Sequence, residues 1–270
     1  MTSAWTLTVL GIAQDGGMPQ AGCRCSRCQA ARDGRRATER VASIGVALDG
    51  GRRAQLFDAT PDLAAQLGML TDGGLPERVW LTHAHVGHYV GLVHLGKEAA
   101  NAHALPVCGT ARMLAFLAAN APWSDLFARG HVEPVELVPG RAVDIGLGLV
   151  VTPLAVPHRS EHSDTLGYRL DGPRASALYV PDIDAWDRWD HDLGALADHV
   201  DWLLVDGTFA SASELPHRAL GEVPHPLTGD TRARVRGRRG QLKLIHLNHT
   251  NPLLDGDDSD VARQGDRLAI

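Results

Sequence analysis

The stretch LTHAHVGHYVGL at residues 81–92 places three histidines, His83, His85 and His88, directly after the apolar run RVWLT. Alternate residues that leave a strand can point into one cleft, and neutral imidazole is a common metal ligand. One histidine at a strand end is more often a hydrogen-bonded surface residue, but three at this spacing predict a metal site. Gly87 precedes the last of them, where a site for two metals calls for a carboxylate.

Length and charge limit the classes of protein that this chain can be. With 270 residues and 44% hydrophobic residues, it can bury a substantial core, and we expect one domain over residues 1–270. No apolar run approaches the roughly 18 residues of a membrane span, and the amino terminus lacks a basic segment followed by a cleavage site. A net charge of −6 argues against a surface built to hold nucleic acid. We therefore expect a cytoplasmic protein with no membrane partner.

Short β-rich runs alternate with stretches that carry apolar residues at helical spacing, which predicts an α/β fold. The predicted strands are 6–12, 43–49, 78–82, 148–156, 176–180, 202–206, 243–247 and 266–270. The predicted helices are 61–70, 109–120 and 184–200. Further polar groups lie at or just past the ends of strands: His158, Asp182 and His246. Loops at strand ends are where a rigid scaffold presents functional side chains.

Three of the four cysteines crowd into the stretch GCRCSRC as Cys23, Cys25 and Cys28. This spacing suits separate disulfides poorly, and thiols stay reduced in the cytoplasm, so the cluster predicts a metal site rather than ordinary loop thiols. Zinc prefers four tetrahedral ligands. The fourth could be Cys108 or His249.

The order and separation of these residues resemble a known family. THAHVGH at 82–88 and the later residues His158, Asp182 and His246 resemble the metal ligands of the metallo-β-lactamase superfamily of hydrolases. The resemblance implies an αββα sandwich in which two mixed sheets are flanked by helices. It places the metal site at one edge of the two sheets and covers nearly the whole chain.

Two flanking segments narrow the resemblance. LGIAQDGGMPQAGCRCSRCQAARDG at 10–34 and HLNHTNPLLD at 246–255 are similar to the B proteins of pyrroloquinoline quinone biosynthesis. They are also similar to the cyclic-phosphate phosphodiesterases of phosphonate breakdown. The latter resemblance implies that the cysteine cluster and His249 hold a structural zinc, which removes Cys108 as the fourth ligand.

The resemblance also implies roles around the active metals, which would be zinc, manganese or iron. The first metal would take His83, His85 and His158, the second would take His88 and His246, and Asp182 would bridge the two. Three nitrogen ligands with an open position lower the pKa of bound water to about 7. A metal-bound hydroxide would then attack phosphorus.

Two further residues have roles implied by the resemblance and plain structural alternatives. His225, in VPHPLTGD, would protonate the leaving group as a general acid, or be a surface histidine between two prolines. Asp58, in LFDATPD, would orient a ligand histidine, or be an acid at a helix amino terminus before Pro61.

Gly87 departs from the superfamily pattern, in which the position before the last histidine is usually Asp. Glycine offers no ligand, so we expect a weaker second metal position. B proteins of quinone biosynthesis keep an acid there and lack the first two histidines, the reverse of this chain. The motif therefore favours a hydrolase of a small anionic phosphodiester, cyclic or nucleotide-like. The alternative is a B-like iron-binding oxidase or carrier protein.

The stretch TRARVRGRRG at 231–240 holds five arginines within eight residues. Arginine clusters bind phosphates, but no aromatic stacking residues accompany this one. We favour a solvated basic turn that meets a phosphate ester at the mouth of the site over a nucleic-acid surface. The sequence leaves open whether the protein forms a homodimer.

Overall fold

Thirteen strands lie in the part of the chain that the structure, a computed structural model, describes, residues 5–214 and 220–270. In chain order they are β1 (Thr6–Gly11), β2 (Ser43–Leu48), β3 (Arg53–Phe57), β4 (Arg78–Trp80), β5 (Leu105–Gly109), β6 (Val132–Glu136), β7 (Val143–Gly146), β8 (Leu149–Val156), β9 (Thr165–Asp171), β10 (Ser176–Val180), β11 (Trp202–Asp206), β12 (Gln241–Ile245) and β13 (Arg267–Ala269).

The strands form two mixed sheets. The first has seven strands in the order β13-β1-β2-β3-β4-β5-β6, and the second has six in the order β12-β11-β10-β9-β8-β7. Strands β3 to β6 are parallel to one another, as are β10 to β12. The runs SALYV of β10 and WLLVD of β11 are almost wholly buried, as expected of parallel strands covered on both faces. Strand β6, VEPVE, lies at the edge of the first sheet and is mostly exposed. An edge strand tolerates proline because some of its backbone positions have no pairing strand.

Aromatic side chains fill the space between the two sheets. Phe57 and Trp80 from the first sheet meet Tyr168 from the second, with ring centroids 5.2 Å and 6.0 Å apart in edge-to-face contacts. All three side chains are buried, and Trp80 Nε1 donates a hydrogen bond of 3.0 Å to Gln55 Oε1. Edge-to-face packing of this kind stabilises beyond simple burial. It fixes one sheet against the other.

Helices pack on the outer faces of the sheets or lie in the loops that carry the candidate site. They are α1 (Ser26–Arg32), α2 (Leu63–Thr71), α3 (Val86–Tyr89), α4 (Ala111–Ala119), α5 (Trp123–Ala128), α6 (Leu193–Ala197) and α7 (Thr228–Val235). Leu63, Leu67 and Met113 belong to a second apolar cluster on the outer face of the first sheet. Residues of α6 and α7 pack on the second sheet. The layers are the α/β sandwich that was predicted. No helix among the described residues is long and apolar enough to cross a bilayer.

The predicted helix over 184–200 is wrong in extent. The chain instead makes a short 3-10 turn at Trp186–Arg188, and α6 begins after Asp192, whose side chain accepts a hydrogen bond from Ala195 N. Trp186 Nε1 donates to Thr231 Oγ1 and Trp189 Nε1 donates to Ala155 O. Because these indoles are buried and each finds a fixed partner, tertiary packing overrides the helical spacing of the apolar residues.

Five strands were not predicted from the sequence: β3, β5, β6, β7 and β9. Strands β5 and β6 contain Pro106 and Pro134, and β3 begins with the polar run RAQ. Pairing with neighbouring strands overrides these unfavourable local signals. The other predicted elements are present, with ends moved by one or two residues in most cases.

The direction of the strands brings their carboxyl ends to one edge. In the first sheet β1, β3 and β4 run the same way, and in the second sheet β8, β10, β11 and β12 do so. The loops that follow these strands carry the polar residues of the candidate site.

Candidate metal centre

The first group of metal-binding side chains consists of His83, His85, His158 and Asp182. His83 Nε2 lies 2.8 Å from His85 Nδ1, which lies 3.2 Å from His158 Nε2. Asp182 Oδ2 lies 3.5 Å from His83 Nε2, and Asp182 Oδ1 lies 3.7 Å from His158 Nε2. Three nitrogens and one carboxylate oxygen therefore converge on one point.

The outer ring nitrogens of these histidines lie close to polar side chains. Thr82 Oγ1 lies 2.9 Å from His83 Nδ1, and Asp184 Oδ1 lies 3.0 Å from His158 Nδ1. His85 Nε2 lies 3.3 Å from Glu161 Oε2. Partners of this kind set the ring orientation of a metal-binding histidine and raise its basicity.

The second group shares Asp182 with the first and adds His88, His246 and Asp15. Asp182 Oδ2 lies 3.2 Å from the Nε2 atoms of both His88 and His246. Asp15 Oδ1 lies 3.3 Å from His88 Nε2 and 3.8 Å from His246 Nε2. Asp15 was not predicted from the sequence. It lies in the loop after β1 and brings a second carboxylate to this group.

Buried partners also orient the second group. Asp58 Oδ2 lies 2.7 Å from His88 Nδ1, and Thr208 Oγ1 lies 2.9 Å from His246 Nδ1. Asp58 and His246 both have positive φ, +67° and +63°. Non-glycine residues adopt this backbone region at a cost, which the surrounding contacts must offset. The alternative of a helix-terminal acid for Asp58 does not fit its full burial at 0% exposure.

The ionisation of Asp182, Asp15 and His83 suits the binding of cations. Burial alone would raise the pKa of Asp182, but His246 and His158 together with other neighbours hold it well below its usual range. Burial would likewise raise the pKa of Asp15, but the neighbouring His246 and His88 hold it well below its usual range. Burial lowers the pKa of His83 well below its usual value, which favours the neutral imidazole that binds metals.

Four buried polar atoms in the second group make no hydrogen bond: Asp15 Oδ1, His88 Nε2, Asp182 Oδ1 and His246 Nε2. Buried polar atoms are rarely left without a partner, and an ion bound among them is a common reason for the exceptions. The spacings of 3.2 to 3.8 Å are the edges of a coordination polyhedron with metal–ligand distances of about 2.1 Å. The residues present therefore fit metal ions at both positions.

The cysteine cluster forms a third group. The Sγ atoms of Cys23 and Cys25 lie 3.7 Å and 3.6 Å from His249 Nδ1, and Cys28 completes the set. Donors on one tetrahedral zinc lie about 3.6 Å apart, given Zn–S and Zn–N distances of about 2.3 and 2.0 Å. Cys108 is buried elsewhere, where burial raises its pKa to about 12. Of the two fourth-ligand candidates, the structure therefore brings His249 to the cluster.

His225 is buried beside Asp182, next to the first two metal-binding groups. Its Nδ1 lies 2.7 Å from Asp206 Oδ2 and 3.4 Å from Asp182 Oδ1. Burial disfavours its charged form, but the negative charges of Asp206 and Asp182 raise its pKa to about 9. Its side chain is 1% exposed, so the surface alternative does not fit. Asp206, at the end of WLLVD, was not predicted.

The arginine run is not at the mouth of the site, contrary to expectation. Arg238 pairs with Asp198 and Arg239 pairs with Asp201, next to the amino ends of β11 and β12. That edge is opposite the carboxyl ends that carry the metal-binding groups. Arg232 and Arg234 also pair with acidic side chains. Such pairing neutralises most of the run and leaves little free charge for nucleic acid.

A cavity of about 900 Å³ opens beside the second group. Its lining includes Gln14, Asp15, Gln20, Arg24, Phe209 and His249. The ring of Phe209 lies 5.7 Å from that of His225, so the cavity extends from the cysteine cluster toward the buried histidine. Its volume suits a small organic molecule.

Comparison with known proteins agrees with this architecture. A family model described as "Beta-lactamase superfamily domain" matches residues 53–250. Coenzyme PQQ synthesis protein B of Cupriavidus necator is 32% identical over 316 residues, covering 98% of this chain and 97% of that protein. The crystal structure of Zn²⁺-bound PqqB from Methylobacterium extorquens is similar with a TM-score of 0.83 and 25% identity, covering 98% and 100% of the two chains. A diphosphatase from the PhnP family shares the fold, with a TM-score of 0.72 and 21% identity over 98% and 97%.

Proposed function

The chain belongs to the beta-lactamase superfamily, and from this premise we propose that it is a metal-dependent hydrolase of a small phosphodiester, cyclic or nucleotide-like. The observation that carries the proposal is the sharing of one buried carboxylate, Asp182, between two complete sets of metal-binding side chains. Metal ions bound there supply an activated water and absorb the negative charge that develops on the phosphoryl oxygens.

The first set has the three histidines that a hydrolytic site needs. His83, His85 and His158 provide three nitrogen ligands, and a metal ion held by them beside Asp182 would keep one coordination position for water. Thr82, Glu161 and Asp184 hold the three rings from outside. Pre-oriented ligands of this kind would hold a metal ion and its water in a fixed place, which lowers the entropic barrier.

His225 provides the proton for the leaving group. Hydrolysis forms a P–O bond to the oxygen of water and breaks the P–O bond to the leaving oxygen. Water loses one proton to solvent, and the leaving oxygen gains one from His225, which solvent then reprotonates. Because Nδ1 of His225 is bonded to Asp206, Nε2 is the atom that gives this proton. A pKa of about 9 keeps the ring protonated at neutral pH.

Arg159 binds the anionic substrate. It follows His158 directly, and its Nη1 lies 3.9 Å from Oε1 of Glu161, whose Oε2 contacts His85 Nε2, so it lies close to the reacting region. Its Nε is buried without a hydrogen bond. A guanidinium with a free donor beside a site is suited to a phosphate oxygen.

Hydrolysis of generic phosphodiesters tests the proposal. Protein reconstituted with zinc or manganese should hydrolyse bis(p-nitrophenyl) phosphate and a 2′,3′-cyclic nucleotide, and His158→Ala should lose this activity. His103→Ala is the matched control, since that histidine is exposed and lies away from the centre. A wild-type protein with bound metal that hydrolyses neither substrate would overturn the proposal.

A second function has its own support, because the relative from Cupriavidus necator is named for coenzyme PQQ synthesis. Under that function the chain would bind iron and oxidise or carry an intermediate. Oxygen consumption by the iron-loaded protein, without phosphodiester hydrolysis, would favour it. The three-histidine set favours the hydrolase.

A further inference from the structure

Asp15 reaches the second group from a loop that is fixed against β12. Gln14 N donates to Leu247 O at 2.9 Å, and Leu247 N donates to Ile12 O at 2.7 Å. These two bonds tie the loop to the residue after His246. They place Asp15 Oδ1 3.3 Å from His88 Nε2, where it is buried and makes no hydrogen bond.

Gly87, in α3, packs closely against Asp15. A Cβ atom at residue 87 would lie 2.2 Å from Asp15 Oδ1 and 2.7 Å from Asp15 Cα. Such distances are far below van der Waals contact, so no side chain fits at position 87 while Asp15 keeps its place. Glycine costs about 1 kcal/mol relative to alanine inside a helix. Its φ is not positive, so the backbone conformation does not require glycine here. The contact with Asp15 does.

We infer that Asp15 is the carboxylate ligand of the second metal position and replaces the one that residue 87 would otherwise supply. The inference rests on the proposed function only in that both need metal ions at this centre. With Asp15, the second position has two histidines and two carboxylates, His88, His246, Asp15 and Asp182. This inference predicts the opposite of the sequence-based expectation of a weak second position. The two positions should bind metal with similar affinity.

The inference is tested by measuring metal binding, not activity, in variants that remove or move the carboxylate of Asp15. Protein stripped of active-centre metal but keeping its cysteine-bound zinc would be titrated with Zn²⁺ and Mn²⁺ by calorimetry, and bound metal counted by elemental analysis after gel filtration. Wild type should hold two ions at the active centre and one zinc at the cysteines. Asp15→Asn should bind the second active-centre ion at least tenfold more weakly and keep the other two.

Variants at position 87 separate a ligand role for Asp15 from a general effect on folding. Gly87→Ala should weaken the second ion because it displaces Asp15, and Gly87→Asp should do so as well. The double variant Asp15→Gly/Gly87→Asp should recover most of the affinity, because the carboxylate then comes from α3. Gly68→Ala is the control: a Cβ there meets nothing within 4 Å, and metal binding should not change.

Each outcome decides the inference. Two active-centre ions of unchanged affinity in Asp15→Asn would overturn it and leave the proposed hydrolase intact. A double variant that binds the second ion no better than Asp15→Asn, although folded by circular dichroism, would overturn it too. A wild type that binds no ion at the active centre would overturn both proposals together.

Discussion

His246 and His249 are three residues apart, yet they serve two different metal-binding groups. His246 Nε2 lies 3.2 Å from Asp182 Oδ2, whereas His249 Nδ1 lies 3.6 Å from Cys25 Sγ. The loop after β1 makes a second connection, because it carries Asp15 and then the cysteines. An ion bound at the cysteines would therefore support two of the four chain segments that bring ligands to the second metal position.

Loss of the cysteine site should weaken the second metal position more than the first. Cys25→Ala should abolish structural zinc and lower the melting temperature, since metal binding is coupled to folding. It should also lower the affinity for the second active-centre ion about tenfold, a size typical of lost support around a ligand. Calorimetric titration measures the affinity of each active-centre position for its ion. Cys108→Ala, outside the cluster, should keep all three ions, and an equal loss at both active-centre positions in Cys25→Ala would contradict the coupling.

The pH dependence should report the contact between His225 and Asp206. A general acid works while protonated, so activity should be present below the His225 pKa of about 9 and fall as pH rises through it. Asp206→Asn removes the negative charge that raises this pKa. The basic limb of kcat should then move to lower pH, toward the usual histidine value of about 6.5. An unchanged basic limb in Asp206→Asn would exclude His225 as its source.

Leaving-group dependence provides a separate test of His225. His225→Gln should lower kcat by about 10² to 10⁴ for an alkyl phosphodiester. It should have little effect on bis(p-nitrophenyl) phosphate, because nitrophenolate leaves without a proton. Rate measurements with both substrates on one metal-loaded preparation give the comparison. Equal losses for the two would point to a structural role instead.

Asp58 should affect the second metal position through His88. Asp58→Asn keeps the size of the side chain but removes the charge that orients and polarises the ring at 2.7 Å. We expect the affinity for the second ion to fall 10- to 100-fold, with the first position less affected. Competition with a coloured chelator measures both constants. Unchanged affinity would show that the contact only stabilises the fold.

Arg159 should act in substrate binding. Arg159→Ala should raise KM about tenfold with a smaller effect on kcat, because it contacts the same phosphate before and during the reaction. Arg141→Ala, an exposed arginine in a loop, is the control. A large loss in kcat at unchanged KM would instead assign Arg159 to transition-state stabilisation.

Much of this centre could be predicted from the sequence because its ligands follow strands. His83, His85 and His88 lie close together in the chain, and the remaining predicted ligands fall at or just past the ends of β-rich runs. Asp15 could not be predicted in this way. It is one carboxylate between polar and glycine residues, and only the packing of the β1 loop against Leu247 brings it to His88. The only sequence signal was indirect, a glycine where the superfamily pattern has an acid.

Prediction of the fold from the sequence is limited in the same way. The strands with continuous apolar runs, such as β10 and β11, could be predicted, whereas β5 and β6 contain proline and form through pairing with neighbours. The apolar spacing over 184–200 is helical, but the buried indoles of Trp186 and Trp189 hold most of that segment out of a helix. Local preference decides these elements only where tertiary packing agrees with it.

Metal-dependent hydrolysis is tested most directly by the rate of phosphodiester cleavage as a function of metal bound at the active centre. Wild-type protein that retains its cysteine-bound zinc would be titrated with Mn²⁺ or Zn²⁺, and His83→Ala treated alongside it. We expect a rate that rises with occupancy and levels off at two ions per chain, with no such rise in His83→Ala. A rate that does not depend on added metal, or that is the same in His83→Ala, would contradict a metal-dependent mechanism.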